Sequence, residues 1–367
     1  MDELSRTRAP ATVERIDSLT SAYDFELDPE LVAQSPPQRR DASRLMVLPR
    51  SGAIEHRHFS DLPAYLREGD VLVLNETRVI AARLHGRRAL TGGSVELLLL
   101  HPAESMRYDP HALRWVALAR PARRLRRGER IVFDPFGSAE IVGELPDGAR
   151  EVAFELDVPF ERFLERAGTL PLPPYIHNES AEAQQRYQTV FALVPGSVAA
   201  PTASLHFTRE LLERIASAGV EIVRIVLDVG LGTFRPIATD RIDEHAMHAE
   251  AYTIPAQAAT AIERARAEGR RIVAAGTTVV RALEGNIQTH GRIVPGDGVT
   301  ELFISPGFAF AAVDVMITNF HLPRSSLLVL VSAFAGRERV LSAYRGAVER
   351  RYRFFSFGDA MLVERAR

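Results

Sequence analysis

Two histidines in an acidic segment are the first candidates for acid–base or metal chemistry. Residues 243–250 (DEHAMHAE) place His245 and His248 three apart and end at Glu250. Because imidazole titrates near neutral pH, it suits a general acid or base. Histidine with a carboxylate also suits zinc or iron, although the spacing differs from a His-Glu-x-x-His motif. A solvated surface turn is a third interpretation, and the sequence leaves all three open.

A long uncharged segment, 190–207 (VFALVPGSVAAPTASLHF), is a candidate for contact with a compact ligand. It holds no Asp, Glu, Lys or Arg in a chain that is 25% charged. Neither helical nor strand periodicity fits it, and its prolines break a helix. Ligand contact or a buried connector with satisfied hydroxyls explains its polar side chains equally well. Those side chains are Ser197, Thr202, Ser204 and His206.

Three loops that follow predicted strands could hold the same ligand. They are 230–234 (GLGTF), 276–278 (GTT) and 319–325 (NFHLPRS). In α/β sheets, ligands bind at the carboxyl ends of strands, where loop amides and helix N-termini converge. Ordinary glycine turns and a helix cap at Ser325 explain these residues without a ligand. The candidates for binding or catalysis are Gly230, Gly232, Thr233, Thr277, Thr278, Asn319 and His321.

An arginine-rich stretch could bind phosphate groups. Residues 114–130 hold seven arginines against one acid, Glu129. Such a cluster suits a nucleic-acid backbone, although a solvated turn also explains it. The candidate contacts are Arg120, Arg123, Arg124, Arg126, Arg127 and Arg130.

The elements that must position these residues indicate an α/β fold. A chain of 367 residues suggests two domains. Between 80 and 156, short strand patterns separated by Gly, Pro and Asp turns predict a small inserted β-barrel domain. Helix and strand patterns alternate after residue 159, which predicts crossover helices in a layered structure. We therefore predict a larger α/β layered catalytic domain over 21–79 and 157–367, and a mobile N-terminal tail over 1–20.

Composition excludes several kinds of chemistry. Cysteine is absent and every basic residue is arginine, which excludes disulfides, thiolate zinc sites, Schiff bases and a lysine-bearing P-loop. The net charge of −2 gives no global attraction to nucleic acid. The longest apolar run, Leu327–Ala335, is too short to span a bilayer, and the first 20 residues lack a signal-peptide pattern. We expect a cytoplasmic protein, and a monomer because no heptad is visible.

Many ordered segments resemble the S-adenosylmethionine:tRNA ribosyltransferase-isomerase family of queuosine biosynthesis. The resemblance covers nearly the whole chain after the first 20 residues. It rests on YDFEL (23–27), SRL (43–45), GDVLVLN (69–75), PLPPYI (171–176), RYQTVF (186–191), GSVAAPTA (196–203), LHFT (205–208), VGLGTF (229–234), GTT (276–278), TNFHLP (318–323) and FFSFGDAM (354–361). Four positions depart from the family's usual Asp, His, Ser and Lys: Glu76, Asp228, Ala249 and Arg324.

The resemblance implies a large α/β domain with a small barrel, and a specific reaction. The ribosyl part of S-adenosylmethionine would be transferred to aminomethyl-deazaguanine at the tRNA wobble position and rearranged to epoxyqueuosine, while adenine and methionine leave. S-adenosylmethionine would be a co-substrate, with no further cofactor and no metal. The expected partners are this co-substrate and tRNA carrying the deazaguanine precursor, without a membrane.

That reaction gives the candidate residues roles. A base must take a C5′ proton beside the sulfonium, and adenine needs a proton donor as it leaves. The candidates for both roles are His206, His245, His248 and His321. A carboxylate or an aromatic face would favour the sulfonium, for which Glu250 and Tyr252 are candidates. The hydroxyls at 197, 202, 204, 277 and 278 would hold the nucleoside and methionine parts.

Two other classes compete with this interpretation. A metal-dependent hydrolase would use His245, His248 and Glu250. A non-catalytic RNA-binding protein would use the arginine-rich barrel, but the uncharged segment 190–207 and the strand-end loops argue against it, because backbone binding needs neither.

Overall fold

The larger domain is built on a mixed nine-stranded sheet. A computed structural model describes residues 16–145, 148–178, 180–230 and 236–366, so most of the predicted tail lies outside the described residues. The strand order is β16-β14-β13-β3-β15-β17-β18-β1-β2. Its strands are β1 Arg44–Leu48, β2 Glu55–His58, β3 Val71–Asn75, β13 Glu221–Leu227, β14 Glu250–Ile254, β15 Ile272–Ala275, β16 Gly296–Thr300, β17 Val315–Asn319 and β18 Ala360–Glu364.

The central strands are parallel and buried on both faces. β13 pairs with β3, β3 with β15 and β15 with β17, each in parallel register. In β3, Val71 and Val73 pack into one core cluster, whereas Leu72 and Leu74 pack into another on the opposite face. Alternation of this kind follows from the two-residue side-chain period, and continuous burial is typical of parallel sheets covered by helices.

The described residues include seven α-helices, and the helix over 277–290 lies in the chain between the parallel strands β15 and β17. The apolar helix α6 lies in the main core and, like the other helices of the described residues, is not long enough to cross a membrane. The helices are α1 Phe160–Ala167, α2 Ala181–Arg186, α3 Arg209–Ser217, α4 Ala256–Ala267, α5 Thr277–His290, α6 Ser326–Ala335 and α7 Arg337–Glu349. Two 3-10 helices, Phe59–Tyr65 and Thr202–His206, complete the layer near β1 and β17.

A closed six-stranded barrel is inserted after β3. Its strands pair in the order β5-β6-β7-β10-β9-β8, and β5 also pairs with β8 to close the ring. The strands are β5 Arg83–Arg88, β6 Ser94–Pro102, β7 Arg114–Arg120, β8 Arg130–Val132, β9 Gly137–Glu144 and β10 Arg150–Leu156, with β11 Gly168–Thr169 added against β5. A short parallel pair, β4 Thr77–Val79 and β12 Val194–Ser197, joins the two parts. The predicted fold class, α/β with an inserted barrel, is confirmed.

The barrel has its own aromatic core, which also includes the helix after it. Trp115 stacks on Phe160 with ring centroids 5.1 Å apart, and Phe163 meets Phe133 edge-on at 5.4 Å. Phe160 and Phe163 belong to α1, which follows the range 80–156 predicted for the insertion. Their burial ties α1 to the barrel.

The structure corrects one local prediction and confirms another. Residues 301–304 (ELFI), whose apolar pattern predicts a strand, form none, and the strand β16 lies just before them. The segment 60–66 predicts a short capped helix, and the structure has a 3-10 helix there, Phe59–Tyr65, which includes Pro63. Proline removes a backbone donor from the helix interior, which favours the tighter turn.

Candidate functional site

The carboxyl ends of β13, β3, β15 and β17 lie side by side and form the floor of the candidate site. Asn75, the last residue of β3, locks two of these ends together. Its Nδ2 donates to the carbonyl oxygen of Leu227 at 2.9 Å, while its Oδ1 accepts the amide protons of Leu227 and Thr77 at 3.0 and 3.1 Å. Since Asn75 is fully buried, this clamp fixes the start of the loop that carries Asp228.

A cleft of about 330 Å³ opens between these strand ends and the barrel. The sheet side contributes two carboxylates, a histidine and glycine backbone. The barrel side contributes aromatic, methionine and histidine side chains. The residues that define these two walls are Asp228, Gly230, His248 and Glu250 on one side and His101, Met106, Tyr108 and Trp115 on the other. A concave, largely apolar pocket with a few polar groups is typical of small-molecule sites.

Asp228 enters the cleft at the end of a chain of hydroxyl groups. The Val229 amide donates to Ser197 Oγ at 2.8 Å, Ser197 Oγ lies 2.8 Å from Thr77 Oγ1, and Thr77 Oγ1 donates to Asp228 Oδ1 at 3.2 Å. A Cβ at Gly196 would lie 2.4 Å from Asp228 Oδ1, so only glycine leaves room for this carboxylate. Burial raises the pKa of Asp228 to about 6, because it penalises the charged form.

Glu250, the other carboxylate of the cleft, is already neutralised. Arg281 on α5 forms an ion pair with it, and both side chains are 2% exposed. The Gly230 amide donates to Glu250 Oε1 at 3.1 Å, and Arg281 Nε donates to the Leu302 carbonyl at 3.0 Å. Glu250 therefore holds Gly230 against β14, and its negative charge is compensated within the protein.

A smaller cavity of about 20 Å³ adjoins the cleft at the ends of β15 and β17. Val229 lines both spaces. Gly276, with a φ of 109°, turns the chain directly into α5, so the N-terminus of that helix lies at this cavity. Thr278 Oγ1 is buried without a hydrogen-bond partner among the described residues. The predicted residues brought together here are Thr202, Thr277, Thr278 and His321.

His206 and His321 both lie in the protein interior, where His321 lines this cavity and His206 lines a separate small one. The Nδ1 of His206 is 2.7 Å from Ser43 Oγ, and its ring stacks on Phe59. The Nε2 of His321 is 2.8 Å from Thr318 Oγ1. Burial lowers the pKa of His206 to about 4 and that of His321 to about 3. Both rings are therefore neutral at physiological pH.

The other two predicted histidines, His245 and His248, lie in different surroundings. His248 is exposed and lines the cleft. His245 packs edge-on against Phe303 at 5.6 Å, and burial, together with nearby His248, lowers its pKa. Within 16–145, 148–178, 180–230 and 236–366, no group of three His, Cys, Asp or Glu residues could hold a metal ion. The metal interpretation of 243–250 therefore has no ligand cluster in the described chain.

Other predicted residues have structural partners. Tyr252 lies in the main core, where its OH accepts from Asn286 at 3.3 Å, and it is not among the residues that line the cleft. Asn319 Nδ2 donates to the Phe355 carbonyl at 2.9 Å, and Ser204 is buried in the 3-10 helix that packs on β17. Gly232 and Thr233 lie outside the described residues.

The arginine cluster forms an exposed edge of the barrel. Arg114 and Arg130 pair with Glu151 and Glu155, and Glu129 is held by Arg88 at 2.8 Å. Carboxylates on a neighbouring strand, β10, thus compensate part of the positive charge that the sequence predicts. Five exposed arginines have no ion pair within the described parts of the chain, namely Arg120, Arg123, Arg124, Arg126 and Arg127.

Sequence reasoning missed the barrel wall of the cleft and the buried cation. His101, Tyr108 and Trp115 face the strand ends only because the barrel folds back over the sheet, and no motif spacing signals this. Arg281 sits on a helix whose pattern gives no sign of a buried charge. Asp228 was visible as a departure from the family pattern, and that was the one available signal.

The fold and the site define an α/β enzyme with a strand-end cleft covered by an inserted barrel. A family model described as queuosine biosynthesis protein matches residues 20–363. S-adenosylmethionine:tRNA ribosyltransferase-isomerase of Symbiobacterium thermophilum is 54% identical over 94% of this chain and 99% of its own length. The protein of the same name from Moorella thermoacetica is 54% identical over 93% of this chain and 98% of its own length.

A solved structure agrees with these relatives. The crystal structure of S-adenosylmethionine tRNA ribosyltransferase from Thermotoga maritima is 40% identical, with a TM-score of 0.52, and the match covers 94% of this chain and 100% of that chain. The chain belongs to the queuosine biosynthesis protein family. The family and the enzyme class predicted from the sequence, a ribosyltransferase-isomerase, are confirmed.

Proposed function

We propose that this enzyme transfers the ribosyl part of S-adenosylmethionine to aminomethyl-deazaguanine at the tRNA wobble position. The rearranged product is epoxyqueuosine-tRNA, and adenine and methionine are released. The observation that supports this most is the cleft between the barrel and the strand ends. It sets Asp228 and His248 opposite Tyr108 and Trp115 in a volume of about 330 Å³, which is within the range of small-molecule pockets.

The two adjoining cavities suit the two ends of S-adenosylmethionine. The N-terminus of α5, with Thr277 and Thr278, favours an anion such as the carboxylate of the methionine part. The larger cleft, which is walled by aromatic and methionine side chains, accommodates the nucleoside and the sulfonium. Val229 lies where the two spaces meet.

His248 is our first candidate for the base that takes the C5′ proton. Of the four predicted histidines, it alone lines the larger cleft among the described residues. His321 lies in the adjoining cavity and is neutral, so it suits hydrogen bonding or proton acceptance better than donation from an imidazolium. Replacing His248 by Gln is expected to lower kcat by about 100-fold or more, while His290→Gln, on the exposed end of α5, serves as the matched control.

We also propose that tRNA lies along the exposed arginine edge of the barrel. Five exposed arginines that have no ion pair among the described residues supply positive charge on the barrel, which also forms one wall of the cleft. The enzyme would act as a cytoplasmic monomer, with S-adenosylmethionine as its sole small co-substrate and no further cofactor or metal. Undiminished turnover after chelation and desalting would support the cofactor proposal, and light scattering on the pure protein would test the monomer.

Adenine release tests the proposed function directly. The enzyme is incubated with S-adenosylmethionine and with tRNA that carries either aminomethyl-deazaguanine or plain guanine at the wobble position. Free adenine in step with modified tRNA is expected in the first reaction only. Equal adenine release with both tRNAs, or none with either, would overturn the proposed acceptor.

A further inference from the structure

The charges that surround the cleft are unequally compensated. Glu250 is paired with buried Arg281, and Arg107, the cation that acts on Asp228 through space, is itself paired with Asp297. Asp228 has no ion pair within the described residues, and its partner there is the hydroxyl of Thr77 at 3.2 Å. The cleft therefore carries one carboxylate whose charge no side chain of the described chain neutralises.

The protein holds that carboxylate in place despite the cost of burying it. The hydroxyls of Ser197 and Thr77 connect it to the backbone amide of Val229, just beyond the end of β13, and the missing side chain of Gly196 makes room for it. A structural carboxylate in such a place is normally paired, as Glu250 is. An uncompensated carboxylate held by a rigid relay is instead suited to an incoming cation.

We propose that Asp228 binds the positively charged group of the substrate in this cleft. The inference rests on the proposed function, which supplies two such cations. One is the sulfonium of S-adenosylmethionine, and the other is the primary ammonium of the aminomethyl base. Both are compact organic cations that a carboxylate stabilises after desolvation, and the cleft's aromatic wall adds to that stabilisation.

Asp228→Asn tests the proposal, since it removes the charge and keeps the shape. Titration calorimetry compares binding of S-adenosylmethionine with that of S-adenosylhomocysteine, which lacks the sulfonium charge. If the sulfonium is the cation, the variant weakens binding of S-adenosylmethionine by about 10-fold or more and leaves S-adenosylhomocysteine unchanged. Glu165→Gln, which removes a charge from the solvent-exposed face of α1, is the matched control and should change neither affinity.

The acceptor provides the second arm of the experiment. If the ammonium is the cation, Asp228→Asn leaves the affinities for S-adenosylmethionine and S-adenosylhomocysteine unchanged. It then weakens binding of aminomethyl-bearing tRNA by about 10-fold relative to guanine-bearing tRNA. Asp228→Ser, which also lacks the charge but has a smaller side chain, should lose the same preference for the charged ligand. Thermal melts verify that both variants are folded.

Two results would overturn the proposal. One is an equal loss of affinity for the charged and uncharged members of both pairs, which would make Asp228 a structural residue. The other is unchanged affinity throughout. The proposed function can fail separately. If the wild-type enzyme releases no adenine, but Asp228→Asn still removes its preference for S-adenosylmethionine over S-adenosylhomocysteine, the proposed acceptor chemistry is refuted and this inference stands.

Discussion

Burial sets the charge of His206 and His321. Both His206 and His321 are packed inside the protein, where the charged imidazolium loses its hydration. The pKa of His206 falls to about 4 and that of His321 to about 3, from an ordinary value of 6.5. At physiological pH both rings are consequently neutral, so each can accept a proton or form a hydrogen bond but carries no charge.

These lowered pKa values predict how stability depends on pH. Between pH 6.5 and 4 the unfolded chain binds more protons at these two residues than the folded chain does, so stability falls as pH falls through that range. His206→Gln should reduce this slope. NMR titration of the ring resonances checks the charge states, and a midpoint near 6.5 for either ring would contradict the prediction.

The ion pair between Glu250 and Arg281 makes a second prediction at this scale. Arg281→Met leaves a buried carboxylate without its cation, which typically costs about 3–5 kcal/mol of unfolding free energy. Arg281→Met combined with Glu250→Leu should recover most of that loss, because both buried charges are then gone. Urea unfolding measures both variants, and a double variant as unstable as the single one would show that the hydrogen bonds to Gly230 and Leu302 dominate instead.

At the scale of elements, helix caps are where the sequence was most informative. Thr208 and Ser325 are cap residues in the sequence pattern, and their side chains accept from the amides of Leu211 and Leu328 at 3.1 and 3.2 Å. A cap hydrogen bond joins residues that are close in sequence, so these caps could be predicted without the tertiary structure.

Ser325→Ala is expected to lower the free energy of unfolding by about 1 kcal/mol. The hydroxyl caps α6 and also donates to the Leu322 carbonyl at 2.8 Å, so both contacts disappear. Ser326→Ala is a matched control, because that buried hydroxyl has no hydrogen-bond partner among the described residues. Denaturant melts compare the two, and an equal or greater loss for Ser326→Ala would show that the cap contributes little.

Elements set by long-range pairing were harder to predict. The six barrel strands have short patterns bounded by turns, and their positions follow from the sequence. Strands β14 and β18 do not, because β14 follows an irregular segment and β18 gains its place by pairing with β1 and β17. Likewise, residues 301–304 have an apolar pattern, yet the preceding β16 occupies the edge next to β14.

At the scale of the whole molecule, the site depends on how the barrel is placed over the sheet. The strand-end loops at Gly230, Gly276 and Asn319 were predictable because parallel strands end at one edge. The opposite wall, with Tyr108 and Trp115, comes from a separate part of the chain whose docking no local pattern encodes. The residues predicted to bind substrate or to catalyse the reaction are therefore distributed among the cleft, the small cavity and the protein core.

The arginine edge makes a prediction about the entire complex with tRNA. Replacing Arg120, Arg123, Arg124, Arg126 and Arg127 by Gln should weaken tRNA binding uniformly across sequences. The slope of log affinity against log salt should shrink by about one for each phosphate contact that is lost. S-adenosylmethionine affinity should stay unchanged, because none of the five lines the cleft.

A control arginine outside the cluster distinguishes direct contact with tRNA from the effect of the protein's net charge. Arg162→Gln removes an exposed arginine on α1, outside the cluster. If the cluster binds the tRNA backbone, single substitutions within it reduce the salt slope measured by filter binding, and Arg162→Gln does not. Equal effects from both sets would mean that only the net charge of the protein matters, and an unchanged slope in the five-residue variant would place the tRNA on another surface.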